Sequence, residues 1–371
     1  MRWLGLIVSF VTLFGFLYSV SVHAVVANSD SASVLLVGQS MAKGNVLLHG
    51  WGLSLDSFWT IDSPFYSVAY LVLGLRTSLL YAVPALIAAI VVVVGMVMAG
   101  QGTKGLARIA GSLTVVALLA LPPRAMAIFF LQGPLHSGTA LLALIAFWAL
   151  CRGRFGWGFV IAVVALTAGT LGDLQTVAYG TVPVFLGGIS AMLRRRTWRA
   201  GIVAASAAVI AAALAALVRQ IADAVGTFSI APHNPIASYH QMATNLGLLF
   251  SYEGELLGIK STLFGANGVP RWLQLFHLVG GTFIAVSFAA ALARFASGVV
   301  VGRRRDEATI QTLDSRGVEP SPAGWRIDDM LVIACLTSVA TFVVLTTATG
   351  QAFTRYLTAS VIFGAVLAGR G

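Results

Sequence analysis

The chain has 371 residues, of which 58% are hydrophobic and only 10% charged. A soluble domain carries about 25% charged residues, so a purely soluble assembly is excluded and a polytopic membrane protein is indicated. The net charge of +10 would ordinarily point to an anionic partner, and two cysteines without CxxC or Cys/His spacing exclude a disulfide framework and structural zinc.

Apolar stretches near 20 residues mark candidate membrane crossings, because a helix rises 1.5 Å per residue through roughly 30 Å of hydrocarbon. About ten occur in chain order: Trp3 to Ala27, Thr77 to Ala99, Ile109 to Leu121, Gly138 to Leu150, Phe155 to Leu171, Val177 to Leu193, Ala200 to Ala222, Trp272 to Ala293, Met330 to Thr347 and Leu357 to Ala368. Val22-His23-Ala24 and Val25-Val26-Ala27 also resemble signal-peptide cleavage sites, but the first stretch is longer than a signal core. Ser63 to Leu75 is apolar yet too short to span, and is expected to lie re-entrant or interfacial. Pro122-Pro123 is expected to break the third stretch, leaving Ala125 to Leu131 as a half-helix beside an external cavity. The expected architecture is all-α: one transmembrane helical bundle over residues 1–371, with external segments 28–62 and 226–271 and a cytoplasmic segment 297–329.

Short loops rich in Lys and Arg stay cytoplasmic. With the amino terminus inside, the basic clusters at Lys104 and Arg108, Arg152 and Arg154, Arg194 to Arg199, and Arg303 to Arg305 all fall inside. The entire net charge then lies on the inner face and the outer face is neutral. The basicity is thus an orientation signal and implies no nucleic-acid partner. A plasma-membrane protein with both termini cytoplasmic is expected.

Polar chemistry concentrates outside, where Asp30, Asp56, Asp62, Asp173, Asp223, Glu253, Glu255 and all six histidines fall. After the first stretch, Asn28-Ser-Asp-Ser-Ala begins a short helix expected to be capped by Ser29 or Asp30. Its apolar face, Ala32, Leu35, Leu36 and Met41, suits the membrane surface, and Gly44 closes it. The external segment then runs on through Gly44-Asn-Val-Leu-Leu-His-Gly-Trp51 and Asp56-Ser-Phe-Trp-Thr60.

These segments resemble the GT-C superfamily of integral-membrane glycosyltransferases, closest to its actinobacterial members. In that superfamily an Asp or Glu just after the first transmembrane helix precedes a surface helix, and Asp30 occupies the equivalent place. Gly172-Asp173-Leu174 looks like the second acidic position, Tyr252-Glu-Gly-Glu255 and Leu263-Phe-Gly-Ala266 lie where substrate-contacting segments are placed, and Thr354-Arg-Tyr-Leu357 looks like the Arg-Tyr motif before a late helix. The resemblance implies transfer of a sugar from a polyprenyl-phosphate donor, in contact with membrane lipid, to an extracytoplasmic glycan, lipid or protein acceptor. Many members continue beyond the equivalent of Gly371, a part that would bear most on acceptor binding.

That chemistry needs a carboxylate base for the acceptor hydroxyl, and Asp30 is the candidate. It needs fixed cations for the leaving phosphate, for which Arg355 comes first, then Arg271 and Lys260, with Glu253 a further substrate contact. Asp173 would orient Asp30, bind the acceptor or share a divalent cation with it, since some members use a metal. One acid stands at the first position where some members carry an adjacent pair. A transporter or flippase of lipid-linked intermediates, or an inactive assembly partner, is the alternative, and a transporter should place polar groups at the membrane midplane.

Overall fold

The computed structural model describes residues 2–54, 56–152, 156–195, 198–230, 236–260, 269–301, 327–346 and 350–371. Residues 302–326 and the Leu263-Phe-Gly-Ala266 motif lie outside them. Among the described residues the chain is all-α apart from one pair of two-residue strands. The helices are α1 (Arg2–Ala24), α2 (Ser29–Ala42), α3 (Ser63–Leu73), α4 (Leu79–Ala99), α5 (Gly105–Ala120), α6 (Arg124–Leu131), α7 (Ser137–Cys151), α8 (Trp157–Gly172), α9 (Val182–Arg195), α10 (Trp198–Ala224), α11 (Tyr239–Leu256), α12 (Arg271–Val301), α13 (Ile327–Leu345) and α14 (Thr358–Arg370). A π-helical turn, Val177–Thr181, leads into α9, and a 3-10 turn, Gln351–Leu357, leads into α14.

Every apolar stretch forms a helix, but by length and composition five of them reach across a membrane: α1, α4, α10, α12 and α13. The pair α5 and α6, bent by 90° at the two prolines, makes a sixth if counted as one span. At 15 and 16 residues, α7 and α8 extend only about 24 Å at 1.5 Å per residue, less than the roughly 30 Å of a bilayer core. These are the helices of a membrane protein, and α1 fits that environment well: 11% of its apolar window is buried in the bundle, so most of its Leu, Val and Phe side chains face outward.

Small residues set the packing, as they do wherever helices approach without a hydrophobic drive between them. The buried seam of α10 is Ala200, Ala204, Ala207, Ala211 and Ala215, spaced three or four apart, and it lies against α8 and α9. Helices α5 and α14 touch backbone to backbone at Gly111 and Gly369, where a Cβ on Gly111 would stand 2.2 Å from the Gly369 carbonyl oxygen. Ala359, Val361, Ile362, Phe363, Ala365, Val366 and Ala368 of α14 are all buried. α14 is therefore a central element, packed among α4, α5, α12 and α13.

Hydrogen bonds define two ends of the bundle. At one end the Arg370 guanidinium pairs with Asp328 and donates to the carbonyls of Met98 (2.6 Å) and Gln101 (3.2 Å), while Gln101 Nε2 donates to Cys151 O (3.4 Å). That joins the ends of α4, α7 and α14 to the start of α13. At the other end lie the start of α2, the start of α7, the end of α8 and the turn before α14, and here the polar chemistry gathers.

Helix α2 differs from expectation at its start and on its inner face. Its cap is Asn28, whose Oδ1 accepts from Ser31 N (3.0 Å) and Ser31 Oγ (2.9 Å), so neither Ser29 nor Asp30 caps it. Ser31 Oγ also donates to Gly133 O (2.7 Å), which turns the buried face toward Ser31, Val34, Leu35 and Gly38 and leaves Leu36 exposed. Gly38 makes this possible, because a Cβ there would lie 2.5 Å from Tyr66 Cβ of α3. Within the segment expected as a loop over 226–271, Tyr239–Leu256 forms the helix α11, packed on α13 and the 3-10 turn.

Candidate functional site

A cavity of about 880 Å³ opens at the polar end. Its lining includes Asp30 and Ser33 of α2, Asp56, His136, Gln175, Arg355 and Tyr356, with Val177, Ala178, Val182, Ala340, Val344 and Leu345 among its apolar members and Thr337 and Thr341 beside them. Polar and charged groups thus share one enclosure with an aliphatic surface built from the start of α9 and the last turns of α13.

The chain between α2 and α3 carries Asp56 into this cavity. Asn45 Oδ1 accepts from His49 N (2.9 Å), Trp51 Nε1 donates to Ser40 Oγ (3.2 Å), and Trp59 Nε1 donates to Val46 O (2.8 Å), folding the segment on itself. Strand β1 (Gly52–Leu53) then pairs in parallel with β2 (Ser229–Ile230). On the far side of Asp56, Phe58 N donates to Gly172 O (2.6 Å) and Ser57 Oγ reaches the same carbonyl (3.3 Å). Asp56 is held between these anchors, directly beside the end of α8.

Asp173, the residue that ends α8, is 1% exposed and fully engaged. Its carboxylate accepts from His136 Nδ1 (2.7 Å), the Thr139 hydroxyl and Gln175 N (2.8 Å). His136 precedes α7 in a left-handed conformation, φ 57°, which His adopts more readily than most residues though at some cost. Its ring lies 5.4 Å from that of Tyr356. Phe58, on the segment beside it, is also left-handed at φ 51°. The backbone is bent on both sides to bring these groups together.

The charges follow from that enclosure. Burial, and after it the Asp173 charge, pushes the Asp56 carboxyl up to about 7, with Asp56 and Asp173 sharing a hydrogen bond. Burial alone would raise Asp173 too, but His136 and the three hydrogen bonds hold it below the ordinary carboxylate range. Burial disfavours the His136 cation, yet Asp173 beside it outweighs this and raises the imidazole. Arg355 donates to Tyr356 OH (3.2 Å) and lies 5.1 Å over that ring, leaving its buried Nε without a partner among the described residues.

Asp62, which precedes α3, lies just beneath. It is 3% exposed, its Oδ2 has no hydrogen-bond partner among the described residues, and burial followed by the Asp173 charge pushes it up to about 7. A carboxyl raised this way favours the protonated folded state: its contribution is complete below the unfolded value of 3.8 and is lost as the pH rises toward 7. Asp62→Asn, neutral throughout, is expected to flatten that loss. Thermal unfolding in detergent at about pH 5 and about pH 8 checks it; an equal drop in variant and parent rules out a buried proton at Asp62.

Of the residues singled out from sequence, Asp30 and Arg355 line the cavity and Asp173 sits behind it holding His136. The others lie elsewhere. Lys260 pairs with Glu255 (2.6 Å) and Ser251 (2.9 Å), and Arg271 is exposed at the start of α12. Glu253 faces inward from α11 and accepts from Ser360 Oγ (2.6 Å), because the segment around it is a helix packed on the bundle. Asp56 and His136, both given only as external residues by the sequence, are the additions. Among the described residues, one group of His, Cys, Asp and Glu has metal-ligand spacing: Asp56, His136 and Asp173. Comparison with protein-family models, with curated proteins and with solved structures finds no match.

Proposed function

We propose that the chain is a GT-C-type integral-membrane glycosyltransferase that moves a sugar from a polyprenyl-phosphate donor to an acceptor outside the plasma membrane. In this reading the bundle makes about ten crossings with both termini cytoplasmic. The observation that carries it is the mixed character of the cavity: an unpaired carboxylate, a cation with a free donor and an aliphatic wall in one enclosure. A lipid-linked phosphate needs that combination. The short helices are compatible with crossings, since α7 runs from His136 at the cavity to Cys151 at the Gln101 and Arg370 cluster, and α14 runs between the same two ends.

Roles follow from what each side chain is free to do. Asp173 has its carboxylate oxygens occupied by His136, Thr139 and Gln175, so it positions rather than accepts a proton. Asp30 lines the cavity, is exposed to it and has no hydrogen-bond partner among the described residues. It serves as the general base: the acceptor hydroxyl oxygen bonds to the anomeric carbon, its proton passes to Asp30, and the bond from anomeric carbon to phosphate oxygen breaks. The departing phosphate carries the electron pair, and Arg355 meets it with a planar fork of donors at constant charge. Charge also builds on the sugar, as in glycoside hydrolysis. The titratable groups stand at helix ends rather than at mid-helix, which favours an interfacial enzyme over a transporter.

A deletion strain is expected to accumulate a polyprenyl-phosphate sugar, read by mass spectrometry of its lipids, and to return to the parental profile when the gene is restored. An unchanged lipid profile counts against the transferase.

A further inference from the structure

We propose, on the reading of Arg355 as the cation that meets the leaving phosphate, that Asn245 and Glu253 of α11 are its positioning residues. They clamp the two helix ends that flank the turn carrying Arg355, and so set where the guanidinium stands in the cavity. Arg355 itself donates to Tyr356 OH (3.2 Å) and lies over the same ring. Both contacts go to the adjacent residue, so the guanidinium follows the backbone of Gln351–Leu357. In sequence that turn stands between α13 and α14, and α11 is bonded to both.

At the end of α13, Asn245, 0% exposed, donates through Nδ2 to two carbonyls, Val343 O (2.9 Å) and Thr346 O (2.8 Å). Just before α11, Ala237 N donates to Val344 O (2.9 Å). The last carbonyls of a helix have no partner within it, and here the neighbouring segment supplies the donors. Gln241 Nε2 donates to Asn245 Oδ1 (2.8 Å), which fixes the amide with its nitrogen toward α13. Val344 and Leu345, in the stretch held this way, line the cavity. At the start of α14, the Ser360 hydroxyl shares its proton between Glu253 Oε1 (2.6 Å) and Leu357 O (2.5 Å). One side chain of α11 is thereby tied to the first turn of α14 and to the last carbonyl of the Arg355 turn. Tyr252, next to Glu253, sets its ring edge-on to Phe342 of α13 at 5.9 Å, and Tyr179 OH donates to Tyr356 O (2.9 Å). A catalytic group displaced by about 1 Å loses about 10²-fold in rate, and release of either end of this clamp allows such a displacement.

The test uses the full-length protein. Hydrogen exchange in detergent, followed by mass spectrometry, reads Gln351–Leu357 with no substrate present, and sugar transfer in membranes of a complemented deletion strain reads the rate. Asn245→Leu and Glu253→Leu should each speed exchange in the turn by about tenfold, the effect of losing one or two neutral hydrogen bonds, while α1 and α4 exchange as in the parent. Glu253→Gln keeps an acceptor oxygen for Ser360 and should restore most of the protection. Each Leu variant should lower kcat by about 10²-fold. Added to Arg355→Lys, either should cost little beyond Arg355→Lys alone, because a positioning residue acts through the group it places. Parental exchange at the turn in the Leu variants overturns the proposal, and so does a fully additive loss in the combined variants. The two Leu variants release opposite ends of the clamp, so if one fails to fold the other decides. A turn loosened by these variants in a chain that transfers no sugar would sink the transferase and leave the clamp; sugar transfer with a turn indifferent to both would do the reverse.

Discussion

Asp30→Asn is expected to lower sugar transfer by about 10²–10⁴-fold, the usual cost of losing a general base, while leaving the protein at normal abundance. The second half of that expectation comes from the cap of α2. Asn28, not Asp30, holds the helix start through Ser31, so the substitution removes no capping bond. What remains is the attraction of a first-turn carboxylate to the helix dipole, about 0.3–1 kcal/mol at most exposed sites. Stability and activity are therefore separable at this position. The measurement is transfer in membranes of a complemented deletion strain with protein level followed by immunoblot, and full activity at normal level would strip Asp30 of its role.

Asp173→Ala should act on both. It leaves His136, 2% exposed, without its carboxylate and orphans the Thr139 hydroxyl and the Gln175 N–H. Breaking a buried pair by removing one member costs about 3–5 kcal/mol, so a marked fall in thermal midpoint and loss of transfer are expected together. Asp173→Asn keeps the shape and one acceptor oxygen, and should recover much of the stability but not the activity. Parental stability in Asp173→Ala would show that the His136 contact contributes nothing to holding the end of α8 against the start of α7.

The scaffold is legible in the sequence because most of its helices are written locally. Apolar runs mark the helices that build the bundle, and Pro122-Pro123 marks the right-angled break between α5 and α6. Asp30, Asp173 and Arg355 are legible for the same reason: each stands where an apolar run begins or ends. Asp56 and His136 have no such marker. Asp56 lies in a segment without periodicity, placed by hydrogen bonds to residues more than a hundred positions away, such as Ser57 to Gly172. His136 sits after Gly133-Pro-Leu, directly before an apolar run, and that position is its one available signal. Glu253 misleads in the opposite direction, since the polar stretch around it gives no sign that α11 folds its acid against Ser360. Spacing along a chain reports helices; it does not report which helix ends meet.

The buried position of α14 bears on how the protein is made. Its partners α4, α5, α12 and α13 all leave the ribosome before it, yet the slot between them can close only when it arrives. Until then the Gly111 surface of α5 lacks its Gly369 partner, the side of α13 that meets α14 is uncovered, and Arg355 and Tyr356, in the turn leading into α14, have no packed helix behind them. Assembly of the bundle therefore has a late packing step, in which α14 fills its slot and the turn before it completes the cavity wall. A chain arrested before Gln351 would lack both α14 and the turn that carries Arg355 and Tyr356, and so be incomplete at once in its core and in its cavity wall.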